Sequence, residues 1–160
     1  MNERDWDKVA GTFEKEIFNV PANDTKGIIL DWVDRLAVPD AVATDLGCGV
    51  GRTLPMLAER YEKVYAVDVS SQCLEVAAKA NAAHANIAYV HADVSEDRNS
   101  YPAAEVVLCI NTWLNASLEI RTGLVDRTLR GVKKEGHLLL VVHREDPCHR
   151  AGSIASGGTR

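Results

Sequence analysis

The chain has 160 residues, 46% of them hydrophobic and 26% charged, with a net charge of −5. That is the length of one domain with one core, and no apolar run approaches the roughly 20 residues that span a bilayer. Acids and bases are interspersed, which argues against a nucleic-acid groove, and the polar opening Met1-Asn2-Glu3-Arg4-Asp5 argues against a signal peptide, so a cytoplasmic protein is expected.

Trp6, Val9, Ala10, Phe13 and Ile17 recur at steps of three and four, which predicts an amphipathic N-terminal helix. Pro21 and Asn23-Asp24 end it, and Asp24 is placed to cap a second helix with Ile28, Ile29, Trp32, Val33 and Leu36 on one face. From there short apolar strands alternate with helices. Strands are predicted at residues 42–46, 63–67, 87–91, 106–110 and 138–142, and helices at about 53–60, 71–82 and 118–132. The last helix carries Leu118, Val125, Leu129 and Val132 on one face, and the cluster Arg121, Arg127, Arg130, Lys133 and Lys134 reads as its solvated side. The strands are nearly continuous in Val, Ile, Leu, Ala and Tyr. Strands covered by helices on both faces look like this, so an α/β fold with a doubly wound, mostly parallel sheet is expected.

Residues 1–145 read as one domain and 146–160 as a flexible tail, marked by Pro147, Gly152, Ser153, Ser156 and Gly157-Gly158. Cys48, Cys73, Cys109 and Cys148 show no C-x-x-C pair, so free thiols are expected. Cys148-His149 invites a metal reading, but no second ligand pair accompanies it, and no metal site is expected.

The informative segment is Ala43-Thr44-Asp45-Leu46-Gly47-Cys48-Gly49-Val50-Gly51-Arg52-Thr53, between a strand and a helix with Pro55 in its first turn. Its glycines allow a tight turn and close approach of a ligand, in the crevice where open α/β sheets bind ligands. The second strand leads to Asp68, placed to accept hydrogen bonds from the hydroxyls of a ribose. The glycines read G-x-G-x-G. A dinucleotide fingerprint would put its third glycine where Arg52 stands, so its close helix–strand packing is not matched and a nicotinamide-dependent oxidoreductase is disfavoured.

Asp45-Leu46-Gly47-Cys48-Gly49-Val50-Gly51 resembles the first motif of the class I S-adenosylmethionine-dependent methyltransferases. The similarity continues through Val67-Asp68-Val69-Ser70, His91-Ala92-Asp93-Val94, residues 105–110 followed by Asn111, and Lys134-Glu135-Gly136-His137, covering roughly residues 25 to 143. The resemblance implies a Rossmann-like sheet of order 3-2-1-4-5, S-adenosylmethionine as cofactor and a small-molecule methyl acceptor. It places Gly47, Cys48 and Gly49 along the methionine and ribose portion, with Asp45 near the amino group through water. Asp68 would hold the ribose hydroxyls and Val69 would pack on the adenine. Asp93 and the amide of Val94 would meet the adenine, and Asn111 would sit near the transferring methyl.

Other roles stay open for several of these residues. Asp45 and Asp93 could each cap a turn, and Asp68 could cap the helix beginning near Ser71. Trp113 is either a substrate platform or packing, and the N-terminal helix is either a lid over the cofactor or core packing alone. His143 and His91 read as structural, and no catalytic residue is assigned.

By the same resemblance a helix and a strand hairpin should follow strand five, and the 17 residues after His143 do not supply them. Strand five would then be a bare edge, which implies a truncated protein, a homodimer pairing these edges, or the N-terminal segment folding across. The alternative to an enzyme is a non-catalytic S-adenosylmethionine-binding or assembly module with an incomplete methyltransferase fold.

Overall fold

The computed structural model describes residues 3–12, 20–95, 101–113 and 117–142. In chain order the elements are α1 Glu3–Val9, α2 Val20–Asn23, α3 Ile28–Leu36, β1 Val42–Leu46, α4 Leu54–Ala58, β2 Lys63–Asp68, α5 Ser71–Ala80, β3 Ile87–His91, β4 Ala104–Ile110, α6 Leu118–Arg130 and β5 Val132–Val141. The five strands form one sheet of order β3-β2-β1-β4-β5, every pair parallel, as expected.

Alternation along the buried strands divides the core in two. Ala43, Val64, Ala66, Ile87, Val106 and Leu108 point to the side covered by Val33 of α3, Leu54 and Leu57 of α4, and Ala77 of α5. Leu46, Val67, Val107 and Cys109 point the other way, toward Val94 and Leu124 of α6. Helices therefore cover both faces, which removes the need for polar residues on the inner strands.

Local signals explain most element boundaries. The Asp24 carboxylate accepts from the amides of Ile28 at 2.9 Å and Ile29 at 2.7 Å, capping α3 as its sequence predicts. Ser70 caps α5 by accepting from the amide of Cys73 at 3.1 Å. The cap of that helix is thus Ser70 and not Asp68, which leaves the carboxylate free for other partners. Pro21 does not simply break a helix: it is the second residue of α2, a position that tolerates a ring in place of an N–H. The N-terminal stretch is helical to Val9 and turns at Ala10, while Phe13 and Ile17 lie outside the described residues.

Two expectations are corrected at the far end. The inward face of α6 is Leu124 and Thr128, whereas Leu118 is 70% and Leu129 56% exposed. Thr128 is drawn inward because its hydroxyl accepts from the Trp113 indole at 3.3 Å, and an apolar pattern alone does not register such a bond. The basic cluster divides accordingly. Arg130, Lys133 and Lys134 are exposed, but Arg121 and Arg127 are half-buried.

Val132 belongs to β5 rather than the helix. The ladder between β4 and β5 jumps from Ala104↔Val132 to Val106↔His137, so the intervening residues bulge out. Glu135 takes a positive φ of 67°, and a Cβ on Gly136 would lie 2.8 Å from the Glu105 carbonyl, which is why glycine stands there. β5 forms one edge of the sheet, opposite β3. Helix α1 packs on α5, which covers the β2–β3 side of the sheet, so among the described residues the N-terminal segment does not fold across β5.

Candidate functional site

The loops after β1, β2, β3 and β4 gather at the carboxyl ends of the strands. Beyond Leu46 the chain enters left-handed backbone at Gly47, Gly49 and Gly51, with φ of 75°, 52° and 78°. These are conformations that side chains with a Cβ rarely adopt. The amides of Gly47 and Cys48 both donate to the Val67 carbonyl, at 2.8 and 3.0 Å, which fastens the loop to the end of β2. Gly51 is also sterically required, since a Cβ there would lie 2.8 to 2.9 Å from Leu54, Ala77 and Asn81. The close helix packing that a dinucleotide fingerprint assigns to its third glycine is therefore made here, one residue before Arg52.

Asp68 closes the loop from β2. One carboxylate oxygen accepts from the Gly49 amide at 2.8 Å and the other from the Ser70 amide at 2.8 Å, and the residue is 8% exposed. Burial raises its pKa, while the amides of Ser70, Gly49 and Val69 and the neighbouring His91 oppose the rise. Asp45 is 2% exposed and accepts from the Thr53 hydroxyl at the start of α4. Burial pushes its carboxyl up to about 6, the Thr53 hydrogen bond pulls it down, and the charge of Asp68 adds to the rise. Two buried carboxylates thus face one loop, each held by uncharged donors. Such a site favours a cation over a phosphate.

Cys48 lines the loop half-buried, its thiol pushed well above its ordinary pKa by burial, then by Asp45 and Asp68. The thiol packs against the first core, and burial favours its neutral form. Val69 is half-buried, and its carbonyl accepts from His91 Nε2 at 3.0 Å. After β3, Asp93 is exposed and accepts from the Ser95 amide at 2.7 Å, the turn-capping geometry, while the Val94 side chain is buried in the second core. Asn111 ends β4 with a positive φ of 57°, its amide donating to the Val141 carbonyl at 2.8 Å. Trp113 packs against the core containing Leu124, which favours packing over an open platform.

Helix α1 lies over these loops. Asp7 accepts from the Ser70 hydroxyl at 2.6 Å, Glu3 pairs with His91 at 3.0 Å, and Ala10 is buried against Val50 and Cys73. These polar contacts tie the helix to Ser70, just after β2, and to His91, the last residue of β3. His91 is therefore engaged with the helix and with Val69. His143, Cys148 and His149 lie outside the described residues. Among the described residues no group of three His, Cys, Asp or Glu side chains could hold a metal ion, and no helix is long and apolar enough to cross a membrane.

Residues 43–136 match the family described as methyltransferase domain. The chain belongs to that family. Its parallel sheet of order β3-β2-β1-β4-β5, with helices on both faces, is the class I, Rossmann-like methyltransferase fold. No curated protein sequence matches the chain.

Several solved structures share the fold. A structure titled DhpI-SAM-HEP complex superposes with a TM-score of 0.74 at 12% identity, covering 98% of this chain and 71% of that one. The N-methyltransferase NodS from Bradyrhizobium japonicum WM9, in complex with S-adenosyl-L-homocysteine, gives 0.68 at 16% identity over 93% and 80%. A TehB-like SAM-dependent methyltransferase from Corynebacterium glutamicum gives 0.67 at 19% identity over 83% and 72%. At such identities the likeness is one of fold.

In this methyltransferase domain Asp45, Gly47, Cys48, Gly49, Asp68 and Val69 come together around the glycine loop, and Asn111 stands beside it next to Thr112, which crowds Gly47, whereas Asp93 and Val94 follow β3, one strand further away. Three participants escape the sequence pattern. Thr53 holds Asp45, Ser70 joins α5 to α1, and Thr112 donates to the Leu46 carbonyl at 2.5 Å. Thr53 stands where a cap is expected, directly before a helix with an early proline, but its hydroxyl makes no cap bond and goes to Asp45 instead. Thr112 carries no local signal, since its partner is 66 residues away.

Proposed function

We propose that this domain binds S-adenosylmethionine across the glycine loop and transfers its methyl group to a small-molecule acceptor. The observation that carries the reading is Asp68. Its carboxylate oxygens accept from the amides of Gly49 and Ser70, with the Val69 amide also close, and the two oxygens' four acceptor positions leave capacity for hydroxyls of a vicinal diol. The two carboxylates fit a cofactor that is cationic at sulfur and nitrogen, and they oppose the pyrophosphate of a dinucleotide.

S-adenosylmethionine supplies an activated methyl on a sulfonium, so the residues need mainly to position and dehydrate. Gly47 and Gly49 would expose loop backbone to the methionine and ribose portion, and Asp68 would fix the ribose. Asp45 would balance the amino group through water. Val69, with Asp93 and the amide of Val94, would border the adenine, and Asn111 would approach the methyl from β4. Helix α1, tied down through Asp7 and Glu3, would act as the lid that excludes water.

A small acceptor is favoured by the net charge of −5 with acids and bases interspersed, which argues against a phosphate-binding groove. Free Cys48, Cys73 and Cys109 fit the reducing cytoplasm. We include in the same reading a second copy of the chain paired along β5. The bulge and the charged Lys133 and Lys134 confine such pairing to about residues 137–141.

Calorimetric titration with S-adenosylmethionine, S-adenosylhomocysteine and NAD tests the assignment, with Asp68→Ala alongside. Binding of the first two, absent for NAD and weakened at least about a hundredfold in the variant, is expected for two lost hydrogen bonds to a charged acceptor. A folded wild type that binds none of the three would refute it. Binding without methyl transfer to any acceptor would instead identify a non-catalytic binding module.

A further inference from the structure

The tip of β4 is fastened at three points. The Asn111 amide donates to Val141 of β5, the Thr112 hydroxyl to the Leu46 carbonyl of β1, and the Trp113 indole to Thr128 of α6. The positive φ of Asn111 makes this possible, because it turns the chain out of β4 and back toward β1. The last register pair between the two strands is Leu46↔Cys109, and the Thr112 hydroxyl takes the carbonyl of that last β1 residue. Its second acceptor, the Ile110 carbonyl, stands at 3.4 Å, so the proton goes to Leu46 at 2.5 Å.

Thr112 also occupies the space a side chain at position 47 would need. A Cβ on Gly47 would lie 2.7 Å from Thr112 Cγ2 and 3.0 Å from its Cβ, and closer still to its hydroxyl oxygen. The threonine therefore sets both the direction in which the glycine loop leaves β1 and the gap between that loop and Asn111. That gap is where the methionine portion lies in the function proposed above, on which this inference rests.

We infer that Thr112 is a positioning residue for the methionine half of the cofactor, acting through Leu46 and Gly47 rather than by touching the ligand. The ribose and adenine would be held chiefly by Asp68 and the ends of β2 and β3, and the hydrogen bonds that fix Asp68 do not involve this hydroxyl. A role confined to one half of the ligand distinguishes positioning from general support of the fold.

The test compares two probes on Thr112→Val, which keeps the shape and removes the hydroxyl, and on Thr112→Ser, which keeps the hydroxyl. The probes are S-adenosylhomocysteine and methylthioadenosine, which lacks the amino-acid end. Thr112→Val should weaken S-adenosylhomocysteine by about tenfold, the scale of one buried hydrogen bond, and change methylthioadenosine by less than about twofold. Thr112→Ser should recover most of the loss. Equal weakening of both probes, or none of either, would overturn the inference while leaving the cofactor assignment standing. A wild type that binds neither probe would overturn both.

Discussion

Replacing Asp45 by asparagine should stabilise the fold at neutral pH and weaken the cofactor. In the folded domain burial lifts the Asp45 carboxyl from 3.8 to about 6. At 1.36 kcal/mol per pKa unit that is about 3 kcal/mol by which folding disfavours the charged form. Between those two pH values the folded state keeps a proton that the unfolded chain has released. Stability from this group is therefore fully present below pH 3.8 and is lost as pH rises through about 6. The asparagine side chain would keep an oxygen for the Thr53 hydroxyl and carry no charge at any pH. The advantage of Asp45→Asn over wild type should grow from near zero at pH 4 to roughly 2 or 3 kcal/mol at pH 7.

Urea unfolding followed by tryptophan fluorescence, run on both proteins across this range, measures the difference and cancels groups common to both. Thr53→Val removes the donor that stabilises the carboxylate, so it should move the window to higher pH. S-adenosylhomocysteine, whose ammonium the proposed binding mode brings near Asp45, should move it lower and should bind Asp45→Asn more weakly. An advantage independent of pH, or wild-type stability that rises through the window relative to the variant, would refute the argument that burial governs this group.

Gly51→Ala combines an unfavourable φ of 78° with contacts of 2.8 to 2.9 Å to three neighbours. It should cost about 2 to 4 kcal/mol in urea unfolding, and a loss under about 1 kcal/mol would mean that the α4–α5 junction yields more readily than the distances imply. Pairing along β5 predicts a two-chain mass in light scattering, lowered to one chain by Leu139→Lys; a wild-type monomer would remove the second copy from the functional reading.

The sheet is legible in the chain alone. Runs such as 42–46 and 106–110 are rich in apolar residues, suit strands covered on both faces, and recur with helices between them. The place of the candidate site is suggested by the chain too, because glycines that take positive φ and an acid ending β2 are requirements of local backbone and strand register. Local signals failed where a distant partner decided the outcome. Thr128 turned inward for the Trp113 indole, Leu118 and Leu129 turned outward, and Val132 left the helix to pair with Ala104. Asp68 could be taken for a helix cap until Ser70 took that role and freed the carboxylate for the loop amides. Thr112 is the clearest instance. Its identity says little, and its position beside Gly47 exists only because parallel strands carrying residues 66 positions apart lie next to each other in the sheet.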